Sequence, residues 1–200
     1  MKINQQQSKT NKLKNERGKI MKYVGKFEKV SFKQFKEDFI KTIFNNDINI
    51  FNNTCGNEKL TTIYEEIKLP VRATKGSAGY DFASTIPFNL HSGESILIPT
   101  GIRVRMDEDF GLFVFPRSGL GCKYRLQFDN SIPLVDSDYY YSNNEGHILF
   151  KMTNDSKSDK VVNISCGDRI AQGVFLQYGI TVDDECINVR NGGFGSSGNN

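Results

Sequence analysis

Residues 95–106, SILIPTGIRVRM, decide the fold class, because apolar residues recur at every second position in two short segments. The first segment carries Ile96 and Ile98, and the second carries Ile102, Val104 and Met106 around two arginines. Successive side chains of a strand point to opposite faces, so this period predicts half-buried β-strands. The same period returns in two later segments, at Ile148, Phe150 and Met152 and at Ile170, Gln172, Val174 and Leu176.

Turn-forming clusters separate these strands: HSGES, MDEDFG, TNDSKSDK and SCGD. Their spacing is typical of a sandwich or barrel, and no long amphipathic helix lies between the strands. The pattern therefore predicts an all-β domain over residues 61–185, with a jelly roll as the expected architecture.

The N-terminal region has a different character. The first fifty residues hold twelve Lys and Arg against five Asp and Glu, a balance of +7, whereas the whole chain carries +3. Residues 1–20 are too polar to bury a core, which predicts a disordered basic arm. Residues 21–60 are expected to form a helical extension and a linker.

Within this extension, large apolar residues fall on one face at helical spacing. They are Phe32, Phe35, Phe39, Ile40, Ile43 and Phe44. Ser31 and Gln34 have the spacing of a capping box. This amphipathic helix is expected to pack on the β domain, and the Asn-rich segment after it is expected to be a loop.

Composition limits the class of protein. The 200 residues are 38% hydrophobic, enough for a sizeable core, and four scattered cysteines form no CxxC pair. No run approaches the length of a membrane span, and the N-terminus lacks the apolar core of a signal peptide. We expect a cytoplasmic protein with reduced cysteines and no membrane contact.

Two glycine-rich segments are candidates for chemistry. Asp81 follows an Ala-Gly-Tyr turn, and an Asp beside such a turn is more often structural. In FPRSGLGCK, Arg117 and Ser118 stand between Pro116 and two glycines. Backbone amides, a guanidinium and a hydroxyl are suited to bind phosphate, with a plain turn as the alternative.

Two further segments carry charged or polar groups beyond the needs of a core. In DNSIPLVDSDYYYSNNEG, Asp136 and Asp138 are two residues apart; on a strand they would share a face and could hold a metal or act as base and orienter. The alternative is a charged hairpin end. RIAQ at residues 169–172 and the glycine-rich tail RNGGFGSSG complete the set, and the tail at residues 186–200 is expected to be flexible.

Read together and in order, these segments resemble the five motifs of the trimeric dUTPase family, over about residues 66–198. AGYD, PRSGLGCK, the run from Asn130 to Tyr139, GDRIAQ and RNGGFGSSG correspond to motifs one to five. The resemblance implies a homotrimer with shared active sites. It also implies Mg²⁺-dependent hydrolysis of dUTP to dUMP and pyrophosphate, which keeps dUTP low and supplies dUMP for dTMP synthesis.

The resemblance also implies a role for each matching residue. Asp136 would be the general base that activates water for in-line attack on the α-phosphorus, and Asp81 would touch Mg²⁺ through water. The phosphate chain would be bound by Arg117, Ser118, Gly119 and Gln172, and by the tail residues Arg190, Gly195, Ser196 and Ser197. The nucleoside would be recognised by Asn130, Leu134, Val135, Tyr139 and Phe194. Tyr139 would pack beneath the sugar and exclude a 2′-hydroxyl, and Phe194 would stack on uracil.

The sequence departs from the family pattern at three places. Arg190 precedes Phe194 by four residues, one fewer than usual; Pro133 replaces a customary Gly; and residues 140–146 lengthen the turn after Tyr139. That insertion could lean over the pocket or contact a partner. The alternative, which we favour, is a tolerated hairpin extension without a function of its own.

Two rival functions follow. A dCTP deaminase shares parts of the second and fourth segments. A nucleotide-sensing regulator would bind a protein partner through the N-terminal helix or the insertion at 140–146.

Overall fold

The computed structural model describes residues 23–188, together with the backbone of residues 13–14 and 20–21. Most of the predicted arm at residues 1–20 lies outside the described residues, as does the predicted flexible tail from residue 189 onward. Two pieces at the N-terminus, β1 (Leu13–Lys14) and β2 (Ile20–Met21), pair as a small antiparallel sheet.

Twelve further strands follow in chain order. They are β3 (Gly25–Lys29), β4 (Val71–Arg72), β5 (Tyr80–Ala83), β6 (Phe88–Leu90), β7 (Ser95–Pro99), β8 (Ile102–Met106), β9 (Phe110–Pro116), β10 (Leu126–Phe128), β11 (Leu134–Val135), β12 (Leu149–Asn154), β13 (Val162–Ile164) and β14 (Arg169–Gln177). The helices are α1 (Phe32–Phe44), α2 (Ile48–Thr54), α3 (Gly56–Glu66), α4 (Ser118–Tyr124) and a 3₁₀ helix at Ser137–Tyr141.

The body is an antiparallel β structure, which confirms the predicted all-β jelly-roll class. One sheet has the order β11-β9-β14-β5-β4, and a second has the order β10-β12-β7. The two sheets meet at Phe82 and Phe150, whose ring centroids are 5.2 Å apart. The segments with a period of two form β7, β8, β12 and β14, and Ile98, Phe150 and Ile170 are fully buried. Alternation therefore identified these strands and the buried face of β8 and β12, whereas in β14 an irregularity after Arg169 buries Ala171 and Gly173 and leaves Leu176 exposed.

The extension before residue 61 shares the core of the body. Strand β3 pairs with β8, with Phe27 opposite Val104. The Phe27 ring meets Phe82 edge-on at 5.5 Å. Phe35 and Phe39 of α1 are buried in the same hydrophobic cluster as the β residues. The prediction that this helix packs its phenylalanines on the body is confirmed.

The capping box predicted at the start of α1 is half correct. Ser31 is the N-cap, and its Oγ accepts from the Gln34 amide at 3.1 Å. The Gln34 side chain does not return to the Ser31 amide, because it donates to Asp38 Oδ2 at 2.9 Å. The Ser31 amide donates instead to Glu145 Oε2 at 2.7 Å, a partner that is distant in sequence.

The loop predicted after α1 is wrong, because α2 and α3 occupy it. Asp47 caps α2 by accepting from the Asn49 and Ile50 amides at 2.9 and 3.0 Å. Each helix places one fully buried apolar side chain in the core, Phe51 from α2 and Leu60 from α3. Asn-rich helices this short have weak intrinsic propensity, so tertiary burial holds them.

Two predictions about the chain as a whole can be compared with the structure. Cys55, Cys122, Cys166 and Cys186 are all free, as expected. Among residues 23–188, the helices are too short or too polar to cross a membrane.

Candidate functional site

The first motif places Asp81 on β5 in a buried cluster with two arginines. The Asp81 side chain is 5% exposed. Its Oδ1 accepts a short hydrogen bond from Arg117, and its Oδ2 accepts from Arg169 Nη1 at 3.0 Å. Arg117 and Arg169 remain partly exposed. Each guanidinium has five N–H donors, so both arginines keep donors for an outside anion.

Arg169 is a member of this cluster that the sequence reading missed. It belongs to the GDRIAQ motif, three residues before Gln172. The motif itself was the available signal, because an arginine in the strand that carries Gln172 suggests a second phosphate ligand.

Gln172 lies opposite Asp81 in the pairing of β14 with β5. Its Nε2 donates to the Pro116 carbonyl at 3.4 Å. A Cβ at Gly79 would come within 2.7 Å of Gln172 Oε1 and 3.2 Å of Gln172 Cβ, so a larger residue would force the Gln172 side chain to move. The glycine of AGYD therefore supports the position of Gln172.

The second motif forms α4, where a plain turn or an irregular cradle was expected. Arg117 is its N-cap, and the Arg117 amide donates to the Ile170 carbonyl at 3.1 Å, which fixes the helix start against β14. Ser118 and Gly119 occupy the exposed first turn. The first amides of a helix have no intrahelical acceptor. Their N–H groups, the Ser118 hydroxyl and Arg117 together suit an anion.

The third motif forms a hairpin strand followed by a helical turn. Leu134 and Val135 form β11 and pair with Phe113 and Leu112 of β9. Pro133 continues this pairing, because its carbonyl accepts from the Val114 amide at 2.9 Å. Proline at the usual glycine position therefore keeps the hairpin. Asn130 is exposed in the turn between β10 and β11.

Asp136 and Asp138 do not share a strand but lie in a charged turn that follows β11, the alternative given for this segment. Asp136 is the N-cap of the 3₁₀ helix, and Asp138 lies within its first turn. Asp136 also lines a cleft of about 960 Å³. The charged residues of this cleft are Arg105, Glu108, Asp109, Asp136, Asp138 and Asp184. Five carboxylates and one arginine give it acidic character.

Tyr139 follows in the same 3₁₀ helix and is 4% exposed. Its hydroxyl donates to the His147 carbonyl at 3.0 Å and accepts from Asn144 Nδ2 at 2.9 Å. The tyrosine is therefore fixed at both its backbone and its hydroxyl.

The two groups of site residues lie at opposite ends of β9. Val135 pairs with Leu112, while Arg117 directly follows the last residue of the strand, Pro116. Asp136 follows Val135 in the direction that leads away from Arg117. About six strand residues, or roughly 20 Å at 3.4 Å each, therefore separate Asp136 from Arg117. A single copy brings together Asp81, Arg117 and Gln172, with Ser118 and Gly119 beside them. It does not bring them to Asp136.

The fifth motif lies outside the described residues. This applies to Arg190, Phe194, Gly195, Ser196 and Ser197.

Comparison with known proteins identifies the family. The dUTPase family model matches residues 65–198. The deoxyuridine 5′-triphosphate nucleotidohydrolase of Glaesserella parasuis serovar 5 is 40% identical over 141 residues, which cover 66% of this chain and 89% of that protein. The corresponding protein of Lactococcus lactis subsp. lactis is 38% identical over 135 residues, with coverage of 66% and 89%.

Solved structures show the same relationship. The dUTPase of Streptococcus mutans aligns with a TM-score of 0.51 at 37% identity, covering 56% of this chain and 88% of that one. A dUTPase from phage phi11 of S. aureus, in which coordination of a structural Mg(II) ion is described, shares the fold at 21% identity and a TM-score of 0.50, covering 62% and 92%. The chain therefore belongs to the dUTPase family.

Proposed function

We propose that this dUTP diphosphatase cleaves dUTP to dUMP and pyrophosphate by in-line attack of a water on the α-phosphorus, with Asp136 as the general base. The observation that carries the proposal is the position of Asp136, at the end of a paired hairpin strand and in the wall of an open cleft. A carboxylate held in this way contributes about two to four orders of magnitude to the rate.

The phosphate chain is bound by Arg117, Ser118 and Gly119, with Gln172 in support. Charge favours this assignment, because the cleft around Asp136 has a single arginine among five carboxylates and so offers little to hold the phosphate chain. The arginine-bearing surface has the opposite character, since two guanidinium groups share the single Asp81 carboxylate.

The active site therefore joins two copies of the chain. Roughly 20 Å of strand separates Asp136 from Arg117 within one copy, which is too far for one water and one phosphate chain to bridge. A neighbouring copy supplies the missing half in a homotrimer, the assembly typical of the family. The reaction keeps dUTP low and supplies dUMP for dTMP synthesis.

Magnesium fits this arrangement as a substrate-bound ion. In residues 23–188 there is no cluster of three or more His, Cys, Asp or Glu side chains that would hold a metal. Both Asp81 oxygens accept from arginines, so Asp81 would contact the ion only through its water shell. Substrate oxygens and waters would provide the remaining ligands, as is usual for Mg²⁺. A bound ion would neutralise phosphate charge.

The segment from Asn130 to Val135 recognises the nucleoside. Asn130 and the backbone of Leu134 and Val135 bind the uracil edge, and pairing with β9 makes that backbone rigid. Tyr139 packs beneath the deoxyribose. From the tail, Phe194 stacks on uracil, and Arg190, Gly195, Ser196 and Ser197 close over the phosphates. We place the reaction in the cytoplasm, where free cysteines are the usual state.

No contact of the described residues favours the regulatory alternative. The insertion at 140–146 contacts the chain's own N-terminal segment, through Glu145 and Tyr140. A protein partner bound through the helix or the insertion stays an untested prediction.

Pyrophosphate release from each deoxynucleoside triphosphate, with and without Mg²⁺, tests the proposal. Release from dUTP alone, and only with Mg²⁺, is the expected result; ammonia from dCTP would instead identify a deaminase. Asp136→Asn should abolish turnover while nucleotide binding persists. Asp138→Asn is the matched variant, two residues away. If Asp138→Asn is the inactive one, the base has been assigned to the wrong carboxylate.

A further inference from the structure

Three residue pairs join the N-terminal extension to residues 140–147, which hold the insertion and the histidine directly after it. Glu28 Oε2 accepts from the Tyr140 hydroxyl at 2.7 Å. Glu145 accepts from both the Ser31 amide and the Ser31 hydroxyl, each at 2.7 Å. The third contact pairs Asp38 Oδ2 of α1 with His147 Nδ1 at 2.6 Å. The insertion is thus the place where the extension meets the proposed active-site hairpin.

The His147 ring has a defined tautomer. Its side chain is fully buried. The Gly101 amide donates to Nε2 at 2.8 Å, so Nε2 is the acceptor and Nδ1 carries the proton that Asp38 accepts. Gln34 donates to the same Asp38 oxygen at 2.9 Å. Asp38 of α1 and the Gly101 amide therefore fix the orientation and the tautomer of a buried ring.

Asp38 is held as an acceptor. Burial by itself raises the pKa of Asp38, but hydrogen bonds from His147 and Gln34 outweigh it and lower the pKa below its usual value. At neutral pH the group is therefore a carboxylate with two donors directed at it.

The path continues from His147 to Tyr139. The Tyr139 hydroxyl donates to the His147 carbonyl at 3.0 Å, and Asn144 Nδ2 contacts both groups, at 2.9 and 3.2 Å. At its other end, the Tyr139 amide donates to the Asp136 carbonyl at 3.2 Å. Asp38, His147, Tyr139 and Asp136 thus form one continuous chain of contacts from the extension to the proposed base.

We propose that Asp38 and His147 are positioning residues, which hold Tyr139 and the Asp136 turn in the geometry that selects a deoxyribonucleotide and attacks it. This inference rests on the proposed roles of Tyr139 and Asp136. The extension thereby takes part in sugar discrimination although it touches no substrate. If Asp38 is removed, the buried ring loses the acceptor that orients it, and the backbone that holds the Tyr139 hydroxyl shifts with the ring.

The test compares kcat and KM for dUTP and for UTP, which differ at the sugar, in four proteins. They are the wild type, Asp38→Ala, Asp38→Asn and Ile43→Ala. Ile43 is on the same helix and packs against the core, but it is not part of the hydrogen-bonded path. All assays are run below the unfolding temperature of each variant, so that only folded protein is compared.

Asp38→Ala should lower the dUTP/UTP ratio of kcat/KM by about tenfold or more, since small misplacement at a reacting site is costly. Asp38→Asn, which keeps a weaker acceptor oxygen, should fall between Asp38→Ala and the wild type. Ile43→Ala should keep the wild-type ratio even if it unfolds at a lower temperature. A role confined to stability would lower the unfolding temperature of all three variants and leave the ratio unchanged.

The outcomes separate the two proposals. A wild type that does not hydrolyse dUTP refutes both of them. An active wild type, together with Asp38 variants whose ratio matches that of Ile43→Ala, refutes the positioning role alone. If Asp38→Ala does not fold, the comparison of Asp38→Asn with Ile43→Ala decides by the same criterion.

Discussion

Mixing two inactive variants tests whether each active site is shared between copies of the chain. Arg117→Ala removes a phosphate ligand, and Asp136→Asn removes the base. The fold should tolerate both changes, because Asp81 keeps its bond to Arg169 and asparagine is close in shape to aspartate. Alone, Asp136→Asn should lose about two to four orders of magnitude in turnover, and Arg117→Ala should also be inactive.

The fraction of activity recovered depends on whether Arg117 and Asp136 of one active site come from the same copy or, as their separation along β9 requires, from two copies. If a site takes Arg117 from one copy and Asp136 from another, a randomly assorted equal mixture supplies an intact residue of each kind half of the time. About a quarter of the sites are then complete, so about a quarter of wild-type activity should return. If one copy supplied both residues, every site would carry one defect and no activity would return.

The assay is pyrophosphate release from dUTP after the two variants are unfolded and refolded together. Native mass spectrometry confirms that mixed oligomers have formed. A chain carrying both substitutions, mixed equally with the wild type, is the control: shared sites predict about a quarter of wild-type activity and one-copy sites predict about half. Mixed oligomers without recovered activity would refute the shared site.

Three further predictions concern the extension and the insertion. Phe35→Ala should destabilise the whole protein by about 3–5 kcal/mol in urea denaturation, because Phe35 is fully buried in the shared core; exposed Ile48→Ala should change stability little. Gly146→Ala should lower the unfolding temperature more than Gly93→Ala. Both glycines have positive φ, but only at Gly146 would a Cβ meet backbone, 2.8 Å from the Tyr139 carbonyl oxygen. Stability should fall as pH drops below about 4, and less so in Glu145→Gln, as measured by thermal denaturation at pH 3–7.

The sign of the pH effect follows from the carboxylates of the extension and insertion. Burial raises the pKa of Glu145, but its hydrogen bonds from Ser31 outweigh burial and lower it. The hydrogen bond from Tyr140 lowers the pKa of Glu28. Carboxylates with lowered folded-state pKa values stabilise the protein above their unfolded values, and this contribution is lost as pH falls through the folded values. Equal pH dependence in Glu145→Gln and the wild type would contradict this assignment.

The other two predictions can also fail. Separate unfolding transitions for the extension and the β body, with only the first shifted by Phe35→Ala, would mean that the core is not shared. Equal unfolding temperatures for Gly146→Ala and Gly93→Ala would mean that the backbone contact at position 146 relaxes without cost.

The sequence by itself determined strands β7, β8, β12 and β14, helix α1 and the order of the five motifs. Strand alternation and the phenylalanine face of α1 are periodic and local, so each could be read within a dozen residues. The resemblance assigned Arg117 and Gln172 to the phosphate chain and Asp81 to Mg²⁺ through water, and the structure places the three residues close together. These roles came from the order of the five motifs, because each segment taken alone is equally compatible with a plain turn.

Only the tertiary structure decided the remaining features. Helix α2 lacks a sustained periodic pattern, and both α2 and α3 bury a side chain, Phe51 and Leu60, among distant residues. The pairing of β11 with β9 separates Asp136 from Arg117, and pairing register is a long-range property. The contact of His147 with Asp38 joins residues 109 positions apart. Short-range pattern cannot encode such contacts, because they exist only once the chain has packed.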